Sequence, residues 1–482
     1  MRWPAVLLAG LSLLLAACER QPLPFPAPAQ RDLVVAVQGG PLTYTTDDTG
    51  KVVGLEHDLI EAFAQDLGVD VQYQVVSPEE MPSLLANGKA HFAAAWISPG
   101  SGDSGLNTSP PLLRSNDVLV QHEASLPVDE LSELKDRTVH VLAGTRQAAA
   151  MHALQASVPD VHVIEHKEGS VFDLLEDVGQ REAEMALVDS AILDIALQYV
   201  PSIQPSLIIG DDRPIVWLFG DKPNSELVAR VNAFIDRVQK DGTLARLQDR
   251  YLGHVRRLGA GDIDKFLERI ETVLPKLRPH FQAAQVTTGL DWRLLAALAY
   301  HESQWDPNAT SPTGVRGIMM LTEETADRLG VSNRLNPRES ILAGARYLNY
   351  LKEQLPSSTA EPDRTWMALA AYNVGPGHFN AARTLAKQLE ADADSWFEMK
   401  GILPLLAQPK YYQRLKSGRA RGGEAVILAE NIRSYYDILT RHEQPYRGTP
   451  AFSGKMLGMA GLSAAAKESR PQAALSLSRP PM

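Results

Sequence analysis

Glu302 has the setting most suggestive of chemistry. It lies near the end of Trp292-Arg293-Leu294-Leu295-Ala296-Ala297-Leu298-Ala299-Tyr300-His301-Glu302-Ser303, a run that Asp291 can cap as a helix. Spacings of three and four put Leu295, Leu298 and Glu302 on one stripe, with Leu294 and Trp305 nearby. A carboxyl held among apolar neighbours resists ionisation, as a general acid working near neutral pH requires. On spacing alone the alternative is a carboxylate that solvates a frayed helix end.

Four further stretches could surround such an acid. Ser311-Pro312-Thr313-Gly314-Val315-Arg316-Gly317-Ile318-Met319-Met320-Leu321 is a glycine-punctuated loop. Asn336-Pro337 then opens a helix with apolar positions at Ile341, Ala345, Leu348 and Leu355, followed by Ala371-Tyr372-Asn373-Val374-Gly375. Last comes Glu424, ahead of a helix with Leu428, Ile432, Tyr435 and Leu439 in phase.

Glu-Ser, Gly-x-x-Gly-x-Met-x-Leu, Ala-Tyr-Asn-x-Gly and the terminal tyrosine helix, in this order, resemble the soluble-lytic-transglycosylase family over about 185 residues. The resemblance implies an all-α, lysozyme-like domain over 258–447 that acts on peptidoglycan glycan strands. It implies that Glu302 is the only catalytic carboxylate, first acid and then base, and that 1,6-anhydromuramic ends form without water. Ser303 would orient the scissile region, while Gly314 and Gly317 would let the backbone approach the glycan or simply serve turns. Met319 would keep Glu302 dry or pack the core. Tyr372 and Asn373 would meet a sugar ring and an acetamido group, and Tyr435 would line the cleft or pack in its stripe. Met320 and Leu428 depart from the family's common glutamine and tyrosine. A hydrolase on the same fold, or a receptor with a non-catalytic glycan anchor, are the competing readings.

Residues 31–257 have a different texture. Strand-like runs (Leu33–Val37, 71–76, 139–142, 161–164, 185–188) alternate with helical ones (58–67, 81–85, 147–154, 172–178, 225–239), which predicts parallel α/β units. Gly54-Leu55-Glu56-His57-Asp58-Leu59, Leu84-Leu85-Ala86-Asn87-Gly88, Gly144-Thr145, Ala183–Asp189 and Lys240-Asp241-Gly242-Thr243-Leu244 resemble the bacterial periplasmic solute-binding proteins that bind amino acids. The resemblance implies two lobes hinged over a cleft, with crossings near Val118–Val120 and Ile208–Ile215. Its ligand candidates are Asp58, Thr145 and Asp189, and Asp189 reads equally as a helix cap. The family's carboxylate-gripping arginine is absent from Ser98-Pro99-Gly100-Ser101-Gly102-Asp103, which weakens the case for a free amino acid, and the expected ligand is a muropeptide, a small peptide or an amino acid. Such a ligand is expected to regulate the catalytic domain through residues 255–265, where Val255–Gly261 reads as a linker or a packed connector.

The 482 residues fit this multidomain plan, with 44% hydrophobic and 22% charged residues excluding a disordered chain. Residues 19–257 carry 19 Lys/Arg against 35 Asp/Glu, so the first half lacks the basic footprint of a nucleic-acid partner. Residues 258–482 carry 27 against 23, a slightly cationic balance that suits a polymer bearing carboxylates. Histidine spacing and loop motifs imply neither metal nor cofactor. Residues 1–17 read as a signal peptide, and Leu15-Ala16-Ala17-Cys18 resembles the bacterial lipobox. That implies lipidation of Cys18, and Glu19 after it favours anchoring at the periplasmic face of the outer membrane. Residues 18–30 are expected to form an extended tether, and 448–482 a disordered tail.

Overall fold

The computed structural model describes residues 23–99, 107–312 and 314–448. The expectations for the signal segment and Cys18, and all but the first residue of the expected tail, lie outside the described residues.

In the first lobe, β1 (Leu33–Val37) carries the small hairpin of β2 (Thr45–Thr46) and β3 (Val52–Val53) after it. It pairs in parallel with β4 (Val71–Val75) and β5 (Phe92–Ile97). After β6 (Leu113–His122) the second lobe sets β7 (Thr138–Leu142) between β8 (His162–His166) and β9 (Met185–Asp189), again in parallel. One long strand, β10 (Ile203–Leu218), runs antiparallel to both β5 and β6. The result is one hydrogen-bonded order, β4-β1-β5-β10-β6-β9-β7-β8.

The expected parallel units are therefore joined by antiparallel crossings, and the predicted crossing stretches fall inside β6 and β10. A chain that leaves one lobe and returns must run both ways through the middle. β10 did not read as one strand because its register breaks at Pro205–Ile208 and Ile209–Arg213, around an exposed Gly210-Asp211-Asp212. The helices fall within a few residues of expectation, as at Leu55–Leu67, Met81–Ala86, Arg146–Leu154, Val171–Gln180 and Ser225–Lys240. The end of the tether is not loose: Phe25 packs on the first-lobe core, and the Pro24 carbonyl accepts from His91 Nε2 at 3.0 Å.

Among the described residues, from Ala260–Thr272 to Gly422–His442 the elements are helical. Trp292–Ser303 is the centre of this domain: Trp292 to Tyr300 are all buried, because neighbours pack on every side of the helix. Val255 is buried beside Leu42, Ala191 and Ile195, and Ser434 Oγ donates to the His254 carbonyl at 2.8 Å, so the junction is a packed connector.

Candidate active site

The helix bearing Glu302 is fixed at both ends. Asp291 accepts from the Arg293 amide at 2.8 Å, and the buried Arg293 guanidinium is held by Asp291 at 2.7 Å and Asp48 at 2.5 Å. At the other end Gln304 and Trp305 both turn left-handed, with φ of 52° and 62°. The Gln304 amide donates to the Tyr300 carbonyl at 2.7 Å, its own carbonyl accepts from Arg269 at 2.6 Å, and Trp305 Nε1 donates back to Ala296 at 2.8 Å. The end is pinned, so Glu302 does not sit on a frayed turn.

Burial pushes the Glu302 carboxyl up to about 7. No ion pair or hydrogen bond compensates it among the described residues, so desolvation acts alone. His301 beside it is pushed down to about 4 by burial, and its Nδ1 is buried without a partner. The pair is thus a carboxyl still half-protonated at neutral pH next to a neutral imidazole.

The glycine loop is held through consecutive carbonyls, one by this helix and the next by the helix Asp363–Val374. Ser303 Oγ lies 2.9 Å from the Ile318 carbonyl and 3.1 Å from that of Ala299, and the Tyr372 hydroxyl donates to the Met319 carbonyl at 2.8 Å. Burial raises Tyr372 well above its usual range, and the nearby Glu302 charge adds to this. Its phenol therefore stays a donor, within electrostatic reach of the acid.

Several candidate residues take roles that spacing did not reveal. Ser303 spends its proton on backbone and so positions the loop. Gly317, at φ 82°, could carry no side chain, because a Cβ there would lie 1.8 Å from the Arg334 carbonyl. The meeting of two loops of this chain therefore requires glycine there. Met319 is fully buried over Gly344, where a Cβ would strike it at 2.6 Å. Asn373 is exposed, with its amide uncommitted among the described residues. Tyr435 packs on Tyr300 and Phe266 at ring distances of 4.9 and 4.6 Å. Two positions on a helix diverge by about 200°, so Tyr435 lies on the side of the helix away from Glu302.

Arg334, Ser340 and Tyr347 were not singled out from sequence. Arg334 binds the Gly314 and Leu321 carbonyls, each at 3.1 Å, and Ser340 Oγ meets the Met319 amide at 3.4 Å. Tyr347 packs on Tyr372 at 5.3 Å. The Gly344-x-x-Tyr347 spacing was the available signal.

In the first module, Asp58 is committed within the protein. Burial alone would raise it, but hydrogen bonds from His57 and Tyr251 and the charge of Arg250 leave it lowered. The Tyr251 bond is 2.7 Å. Thr145 caps its helix by accepting from the Ala148 amide at 3.3 Å and donates to the Leu142 carbonyl at 2.6 Å. Asp189 serves as a cap through Oδ1 at 2.9 Å from the Ala191 amide. Its buried Oδ2 has no hydrogen bond and lies 3.6 Å from Arg146. Arg146 also grips the buried Asp117 at 2.6 Å, joined by Gln147 at 2.9 Å.

Comparison with known proteins agrees with this division. Residues 33–254 match the family "Bacterial extracellular solute-binding proteins, family 3", and residues 279–395 match "Transglycosylase SLT domain". A solved structure, "An ancestral arginine-binding protein bound to arginine", is 20% identical, with a TM-score of 0.42 over 46% of this chain and 97% of its own. The membrane-bound lytic murein transglycosylase F of Methylobacillus flagellatus is 41% identical over 92% of this chain and 94% of its own length. That of Nitrosospira multiformis is 40% identical over 91% and 92%. With such similarity along both modules, the chain belongs to the membrane-bound lytic murein transglycosylase F family.

Proposed function

We propose that the enzyme cleaves the β-1,4 bond between N-acetylmuramic acid and N-acetylglucosamine in peptidoglycan, with Glu302 as its single acid and base. The observation that carries this reading is the lone carboxyl pushed up to about 7 beside the clamped loop. Protonated Glu302 gives its proton to the bridging oxygen as the bond from C1 breaks. The muramic C6 hydroxyl then attacks C1, and its proton returns to the Glu302 carboxylate. Nucleophile and electrophile share one sugar, which removes much of the entropic barrier. Water is not consumed, and the acetamido oxygen of the substrate steadies the cationic intermediate. In this reading the exposed Asn373 amide meets an acetamido group of the substrate.

The solute-binding-like module is a ligand-binding regulatory unit in this reading, taking a wall-derived peptide or muropeptide and biasing the catalytic domain through residues 255–265. Arg146 neutralises Asp117 and stands opposite Asp189, which argues against a site built around a free ammonium alone. Lipidation of Cys18 would hold the enzyme on the periplasmic face of the outer membrane.

Mass analysis of digested sacculi tests the reaction. Products lighter by one water than hydrolytic ends are expected, and free reducing ends would assign a hydrolase instead. A Glu302→Gln control should give neither.

A further inference from the structure

A recess of about 340 Å³ lies where helix Thr243–Leu252 of the binding module meets the catalytic domain, far along the chain from both Glu302 and Asp189. Its volume is at the small end of the range for ligand pockets. Two of its lining side chains carry buried polar atoms with no partner: Ser395 Oγ and Arg433 Nε, in residues 4% and 2% exposed. Buried polar atoms are almost always paired, so two orphans in one wall set this region apart.

Each wall carries both signs: Arg246, Arg250 and Asp249 on the module side, and Asp363, Asp392, Asp394 and Arg433 on the catalytic side. On the module side, Arg246 reaches only the Asp241 carbonyl and the Thr243 hydroxyl, and Arg250 reaches Asp58 at 3.5 Å with its side chain 38% exposed. On the catalytic side, Asp363 accepts from the Trp396 amide at 3.0 Å and Asp392 from the Asp394 amide at 2.8 Å. Neither aspartate has an ion pair among the described residues. The other two acids are spoken for, Asp249 by Lys400 and Asp394 by Arg383. Trp366, with the Arg433 guanidinium 5.3 Å from its ring centre, adds an aromatic wall.

We propose that this recess is a second ligand site, for a zwitterion of about dipeptide size whose carboxylate faces Arg246 and Arg250 and whose ammonium faces Asp363 and Asp392. Burial raises Asp363, and an incoming ammonium relieves that cost. Because the two walls belong to different domains, an occupant bridges them.

The test is calorimetric titration of the full chain with L-alanyl-L-alanine, its N-acetyl derivative and its C-terminal amide. Saturable binding of the free dipeptide is expected, with each blocked form weaker by about tenfold or more. Arg246→Ala and Asp363→Asn should each weaken binding similarly, and Asp189→Asn should leave it unchanged. No saturation by ~10 mM would overturn the proposal. So would equal binding of the blocked forms, or binding lost with Asp189→Asn but kept by the two recess variants. Binding is read without turnover, so the result is independent of whether Glu302 does the chemistry proposed for it.

Discussion

The Tyr372 hydroxyl is bonded to the backbone carbonyl of Met319, 53 positions away, at 2.8 Å. This one contact ties the Ala-Tyr-Asn helix to the glycine loop that Ser303 holds from the other side. Tyr372→Phe leaves that carbonyl without its donor, at a cost of about 1–3 kcal/mol. The expected result is a roughly tenfold fall in kcat with little change in KM. Steady-state kinetics on soluble glycan fragments would show it, and an unchanged kcat would remove Tyr372 from the positioning role.

Replacing the acid should separate activity from stability. Glu302→Gln is expected to lower turnover by at least about a thousandfold. Because the folded carboxyl sits near 7 rather than its ordinary 4.5, folding favours its protonated form. The stability it contributes is fully present below about pH 4.5 and is lost as pH rises through 7. The glutamine variant should therefore melt higher than the parent at pH 8, with the difference shrinking at pH 5, as calorimetry at the two pH values would read.

The same ionisation sets the pH profile of the reaction. Activity that needs the protonated acid should hold below about pH 7 and then fall by about tenfold per pH unit above it. A flat profile from pH 6 to 9 would mean that a different group donates the proton.

Two glycines with nearly equal backbone angles should respond differently. Gly314 and Gly317 have φ of 81° and 82°, but a Cβ at Gly314 meets open space while one at Gly317 meets the Arg334 carbonyl. Gly314→Ala should cost about 1 kcal/mol, the ordinary penalty for that conformation. Gly317→Ala should cost more than about 3 kcal/mol or abolish the loop's docking, with loss of activity. Thermal melts of the two variants side by side would decide it.

In the binding module, Arg146→Ala would leave the buried Asp117, its side chain 1% exposed, without its ion pair and with Gln147 as its remaining side-chain hydrogen bond. Removing one partner of such a pair typically costs about 3–5 kcal/mol. A large drop in the module's melting transition is expected, whereas Arg114→Ala, which breaks an exposed pair with Asp212, should change it little.

The features that local periodicity encodes were legible in the sequence. The stripe through Leu295, Leu298 and Glu302 identified a buried acid, and the β/α alternation located the helices and the parallel strands. What stayed hidden depends on partners far away in the chain. Asp58 reads as a ligand contact until Tyr251, 193 positions on, is seen to claim it. Gly317 reads as a glycan contact or a turn residue, and the Arg334 carbonyl that forbids a side chain there comes from a loop that no local pattern connects to it. Tyr435 has the phase of a stripe residue in its own helix, yet which side of the neighbouring helix it meets is set by their packing. Asp189 is seen to cap its helix with one oxygen, while its other oxygen faces Arg146, a partner 43 positions earlier that no local pattern announces.

The helix Gly422–His442 packs directly against the helix that carries Glu302 and against Asp363–Val374. A polypeptide made from its N-terminus onward cannot finish that core until nearly all of it has been delivered. Any shortened product ending before residue 422 would lack the support that holds the acid in place, so wall-cutting power arrives late and all at once. An unfinished chain is therefore harmless to the polymer that the finished one cuts.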